Sequence, residues 1–159
     1  MPVLVILSRW LHVVSACLAV GGVFFVRLVL PRGLAILEPE ARLAVVLKTR
    51  RIFKMVIHSA ILVLLLSGTF NGYMSLATYN LNPPLLHSLL GLHVLLALAA
   101  FALAIYVLAG ARPLPSHRKL VTVNLVVLLL AVAAASTLKW AREKTLAVHS
   151  AGTWAVEAR

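Results

Sequence analysis

The sequence predicts an all-α integral membrane protein, an up-and-down bundle of four helices. Three observations carry that prediction. Apolar residues make up 62% of the 159 residues, with a mean hydropathy of +1.03, against roughly 45–50% in an ordinary soluble domain. They gather in four runs of about 20 residues or more, the length that crosses the hydrocarbon core of a bilayer. Proline, glycine, asparagine and basic residues separate the runs. An isolated strand would leave its backbone N–H and C=O groups unsatisfied in lipid, so each run is read as a helix.

The first span covers Leu11–Leu30 and is expected to end at Pro31, Gly33 and Pro39. The start of the chain shows no basic segment followed by a short apolar run and a small-residue cleavage site, so this span is expected to be retained. The connector 31–51 carries Arg32, Arg42, Lys48, Arg50 and Arg51, and its middle, Pro39–Leu47, can form a short interfacial helix. The second span is Ile52–Tyr73. Asn80, Asn82, Pro83 and Pro84 precede the third, Leu85–Gly110, and Pro113 with Pro115 divides it from the fourth, Leu120–Leu138. The bundle thus occupies residues 1–139. The tail 140–159, with Trp140, Trp154 and three basic residues, is expected to be amphipathic and to lie at the interface. At this length no separate soluble domain is expected, and no internal repeat stands out.

The formal net charge is +11, but the basic residues sit at the ends of the apolar runs instead of forming one face, so they read as topology determinants and nucleic acid is not an expected partner. Ten of them, Arg27, Arg32, Arg42, Lys48, Arg50, Arg51, Lys54, Arg112, Arg118 and Lys119, flank the first and third loops. That side is expected to be cytoplasmic, with both termini outside. The one cysteine, Cys17, excludes an intramolecular disulfide and any multi-cysteine metal site. The four acidic residues, Glu38, Glu40, Glu143 and Glu157, all lie outside the spans. Neither a carboxylate proton relay nor a carboxylate-based hydrolase is therefore expected.

Histidines inside the spans carry the functional reading, because an ionisable group in a membrane is expensive and by default a functional candidate. His12 is about four residues inside the first span and His93 about eight inside the third. At 1.5 Å per residue they differ in depth by only several ångströms. In an up-and-down bundle the first and third helices are diagonal partners. Small residues follow each histidine at helical spacing: Ser15, Ala16, Ala19 and Gly22 after His12, and Ala97, Ala100 and Ala104 after His93. Such stripes leave room for a flat macrocycle with one axial ligand from each helix, and they equally allow close helix packing without a ligand.

A second diagonal pair is His58 with His117, at the opposite end of the bundle. Two stacked haems would form a route for electrons across the membrane, although His117 lies in the loop-like ARPLPSHRKL. Arg27, near the end of the first span, can snorkel to the interface or pair with a haem propionate. The rival set is a copper site of His12, His87, His149 and Met74, since imidazole and thioether suit Cu(I). Ser67 and Asn124 read as interhelical hydrogen bonders.

Three stretches carry a family resemblance. WLHVVSACLAVGGVFFVRLVLPR resembles the opening helix of the superfamily that contains the membrane domain of copper-resistance protein D (CopD) and the HemJ-type protoporphyrinogen oxidases. RIFKMVIHSAILVLLLSGTFN and LLHSLLGLHVLLALAAF resemble the two helices that follow. The likeness spans roughly residues 10–110 and implies a four-helix core. The CopD side implies copper handling in a bacterial inner membrane, with His12 the one candidate ligand that maps across. The HemJ-type lysine after its histidine is not met, because Ser88 and Leu89 follow His87. Protoporphyrinogen oxidation is therefore not carried over.

Together these features lead to the expectation of a haem b protein ligated by His12 and His93, with a second haem at His58 and His117. It would be an electron-transfer or anchor subunit in contact with the bilayer and with other membrane or periplasmic redox subunits, and not a self-sufficient enzyme. Copper handling and a cofactor-free structural subunit are the alternatives.

Overall fold

The computed structural model describes residues 2–78, 84–109 and 118–157, with side chains over 3–76, 85–109 and 118–144. It is an all-α bundle, with no strand among the described residues and four helices long and apolar enough to span a membrane. The first helix runs over Pro2–Phe24, widens into a π-helical turn at Phe25–Val29, and closes with an α-helical turn at Leu30–Gly33 and a 3-10 turn at Leu34–Ile36. The second is Pro39–Thr78, the third Pro84–Ala109 and the fourth Arg118–Glu157.

Two boundaries differ from the sequence reading for physical reasons. Pro31 does not stop the first helix. A proline removes one N–H and crowds the carbonyl four residues earlier, and the chain accommodates this by the wider turn just before it, where the Leu30 N–H reaches the Phe25 carbonyl. The segment Pro39–Leu47 is not a separate interfacial helix but the beginning of the second. Between Pro39 and Gly68 there is no helix breaker, and alanine, leucine, lysine and arginine favour continuation. The fourth helix likewise runs on through most of the segment 140–159, to Glu157.

At 40 residues each, the second and fourth helices are about 60 Å long, twice the roughly 30 Å hydrocarbon layer. They project from opposite ends of the bundle. One end holds the start of the first helix, and the other the cluster Arg27 to Lys54; these are called the terminal end and the basic end below.

The first helix packs closely on the second and the third on the fourth, while thinner contacts, first with fourth and second with third, join the two pairs. The first and third helices are therefore diagonal. The apolar core lies toward the basic end and is built from Val23, Ala100, Val107, Val121 and Leu128, with Ile57, Ile61 and Leu108 beside them. Large apolar side chains also cover the outside on every helix, among them Leu18, Leu66, Leu95 and Leu129, as a lipid-facing surface requires. At Gly22 the first two helices come so close that a Cβ would lie 2.7 Å from Cε2 of Phe53.

At the basic end, arginines donate to carbonyls in the last turns of helices, where backbone partners run out. Arg42 donates to the carbonyls of Leu34 and Ala35, Arg32 to that of Leu28, and Arg50 to that of Leu108 in the last turn of the third helix.

Candidate functional site

His12 is the tenth residue after Pro2, and His93 the ninth after Pro84. Because both helices start at the terminal end, the two histidines fall on one level, and the diagonal arrangement turns them toward each other. Their ring centroids are 6.5 Å apart, with the ring planes inclined at 54°. Both rings are partly buried. The small residues behind them face inward too: Ser15, Ala19 and Ala100 are buried, and Ala16, Gly22, Ala97 and Ala104 partly so.

Each imidazole is held by the other helix of its own pair or by the one it packs on. Nδ1 of His93 lies 2.9 Å from the Ala131 carbonyl of the fourth helix. A carbonyl can only accept, so this nitrogen carries the proton. Nδ1 of His12 lies 3.0 Å from Ser67 Oγ of the second helix. The Ser67 hydroxyl spends its proton on the Val63 carbonyl, at 2.6 Å, and so accepts from His12. Both rings are thereby fixed with Nδ1–H engaged and Nε2 as the nitrogen with a lone pair, the arrangement in which histidine serves as a ligand. Gly68 makes room for the first ring, since a Cβ there would meet His12 Cε1 at 3.2 Å. Ser8 adds a further tie by donating to the Ser67 carbonyl.

The spacing suits a shared ion. Metal–imidazole bonds of about 2.0–2.1 Å put two rings on opposite sides of one ion with centroids roughly 6 Å apart. Among the described residues no group of three or more histidine, cysteine, aspartate or glutamate side chains converges.

The other residues singled out from the sequence lie elsewhere. His58 is exposed on the outside of the second helix, with Nδ1 bonded to the Lys54 carbonyl of its own preceding turn. His117, its supposed partner, lies outside the described residues. Arg27 lies at the basic end, away from the level of His12 and His93. It stands 15 residues along the first helix from His12, about 22 Å away, and its Nε donates to Thr122 Oγ1 at 2.7 Å. Of the copper set, His87 is exposed at a pocket nearer the terminal end, and the side chain of His149 is outside the described residues. Asn124 is buried at 3% exposure with no partner for Oδ1, so that oxygen does not make the interhelical bond expected of it.

Sequence reasoning missed the polar stripe to which Ser67 belongs. Ser67, Asn71 and Ser75 follow one another at four-residue steps on one face of the second helix. The spacing marks the three as sharing a face, but the near-uniform apolarity around the span leaves the direction of that face without a signal in the sequence. No family model matches the chain, and no curated protein and no solved structure matches it.

Proposed function

We propose that the chain is a membrane-embedded haem b protein, with His12 and His93 as the axial ligands. What supports this most is the histidine pair itself: two imidazoles on diagonal helices, 6.5 Å apart, each with Nδ1–H already engaged and Nε2 available. The thin contact between the two helix pairs is the second support, because a flat group entering between the rings has only that interface to part. Bound there, haem b would supply one-electron redox chemistry.

The residues of the chain do the rest. Ser67 and the Ala131 carbonyl orient the ligands, Gly68 clears space for the His12 ring, and the alanines around Ala100 keep the neighbourhood dry. A four-helix bundle of this kind acts as an electron-transfer or anchor subunit whose partners are other redox subunits. Its membrane is a bacterial inner membrane, with the basic end on the cytoplasmic side. The histidine level lies in the terminal half, so electrons are exchanged with a partner on the outer face.

The test is an oxidised and dithionite-reduced absorption spectrum of the purified protein, with pyridine haemochrome quantitation. One haem b per chain with a low-spin spectrum is expected, lost in His12→Ala and in His93→Ala. A featureless spectrum from cells with ample haem rejects the proposal, and copper analysis of the same sample then tests the CopD-like alternative.

A further inference from the structure

Toward the basic end all four helices wall one cavity, with Val26 from the first, Phe53 and Ile57 from the second, Leu108 from the third, and Val121 and Asn124 from the fourth. Asn124 is the one polar residue of that lining. It is 3% exposed, and its Oδ1 has no hydrogen-bond partner among the described residues. Asn124 is seven residues from Ala131, whose carbonyl holds His93. The cavity therefore lies about 10 Å further toward the basic end than the histidine level.

The π-helical turn frees a second acceptor in the same lining. A helical carbonyl accepts from the N–H four residues on, or five on where the turn widens. For Val26 those residues are Leu30 and Pro31. The Leu30 N–H is bonded to the Phe25 carbonyl, and Pro31 has no N–H to give. The helix thus leaves the Val26 carbonyl without a donor, in a residue only 7% exposed. The neighbouring Arg27 directs its Nε to Thr122 Oγ1 instead.

Two acceptors in need of a donor therefore belong to residues of one apolar cavity, and buried acceptors of this kind are met by a partner from somewhere. Size limits what that partner is. The cavity gives the centre of a water molecule about 20 Å³, against the roughly 10–15 Å³ that one water requires. A lipid headgroup or a flat cofactor is far larger. Water also matches the chemistry, since it carries two O–H donors for two oxygens.

We propose that this cavity is a single-water site, in which one water donates to Asn124 Oδ1 and to the Val26 carbonyl. The water ties the first helix to the fourth, where contact between the two helix pairs is thin. It also returns to the Val26 carbonyl the bond that Pro31 cannot supply, as ordered waters do for backbone groups freed by proline in a membrane helix. Asn124 is on this account a positioning residue for the wide turn. The site does not rest on haem binding at the other level.

High-resolution crystal structures of the intact chain, grown from a lipid phase, test the site. In the wild type one water is expected within about 2.5–3.0 Å of both Asn124 Oδ1 and the Val26 oxygen. Pro31→Ala adds a backbone N–H to this stretch, so the Val26 carbonyl regains a donor from its own helix. The water then keeps one partner, fewer than the two to four that hold a buried water, and its loss is expected. Asn124→Leu, of similar volume, removes the other acceptor and should also lose it. A wild-type cavity without water, a water touching only one of the two oxygens, a larger molecule in its place, or an Asn124 turned onto a group of the chain each overturns the site. So does a water that stays in place in Pro31→Ala. The wild-type structure decides the matter alone if either variant fails to fold.

Discussion

At the scale of single residues, the consequence of the structure is that two hydrogen bonds prepare the histidines before any ligand arrives. The chain from His12 Nδ1–H to Ser67 Oγ–H to the Val63 carbonyl fixes one tautomer, and the Ala131 carbonyl fixes the other. Only the first can be removed by a side-chain change. Ser67→Ala is expected to weaken haem binding by roughly 10–100-fold, the usual cost of losing a ligand-orienting partner, while Ser67→Thr keeps the hydroxyl and most of the affinity. Titration of haem-depleted protein checks this, and equal affinities for Ala and wild type would mean that Ser67 does not orient the ring. Gly68 tests the same ring by sterics. Gly68→Ala puts a carbon 3.2 Å from His12 Cε1, so the imidazole must yield by a few tenths of an ångström, and lower haem affinity is expected. Gly72→Ala is the control, one turn on, where a Cβ meets nothing within 4 Å. It should leave haem binding unchanged, and equal effects from the two substitutions would sink the argument.

At the scale of elements, the π-helical turn is the feature with a testable cause. Without Pro31 the first helix has no reason to widen, and recovering a regular α-helical turn would rotate the residues on one side of Phe25–Val29 against the other by about 100°, one residue's worth of helix. Arg27 sits inside that turn, and its bond to Thr122 ties the first helix to the fourth where contact between the two pairs is otherwise thin. Pro31→Ala is therefore expected to abolish the coupling between Arg27 and Thr122. A double-mutant cycle measures it, with about 0.6 kcal/mol in the wild type, the average for such bonds in a membrane, falling toward zero in the Pro31→Ala background. Persistent coupling would assign the wide turn to packing instead of to proline. The same element shows what the sequence could reveal. Hydropathy gave the number of helices, and loop length with helical rise gave the shared level of His12 and His93, because both depend only on counting. Helix ends depart from that pattern where a proline is absorbed, at Pro31, and where no breaker stands at a membrane boundary, near Arg51. Rotation about the helix axis decides whether His58 faces in or out. Near-uniform apolarity around each span leaves that angle without a periodic signal, so the outward face of His58 and the inward polar stripe of Ser67, Asn71 and Ser75 became visible only with the helices packed.

At the scale of the whole molecule, charge and depth together give the protein a direction. The histidine level is nine or ten residues in from the terminal ends of its helices, and the arginine-lined carbonyls occupy the other end. An electron carrier at that level is closer to one aqueous face than the other, so the physical orientation decides which partner it can serve. Juxtamembrane lysines and arginines resist translocation, so their excess around Arg27–Lys54 predicts that the basic end lies in the cytoplasm. The prediction needs two reporter cysteines in a Cys17→Ala background. Ile36, 88% exposed in the turn after the first helix, marks the basic end, and Leu85, 60% exposed at the start of the third, marks the terminal end. In intact spheroplasts a membrane-impermeant maleimide should label Leu85→Cys and leave Ile36→Cys unmodified until the membrane is opened. The reverse pattern would put the histidine pair beside the cytoplasm, where its redox partner would have to be a cytoplasmic one. Labelling of both positions in sealed cells would mean that the chain inserts in two orientations, which a carrier with a single docking face could not use.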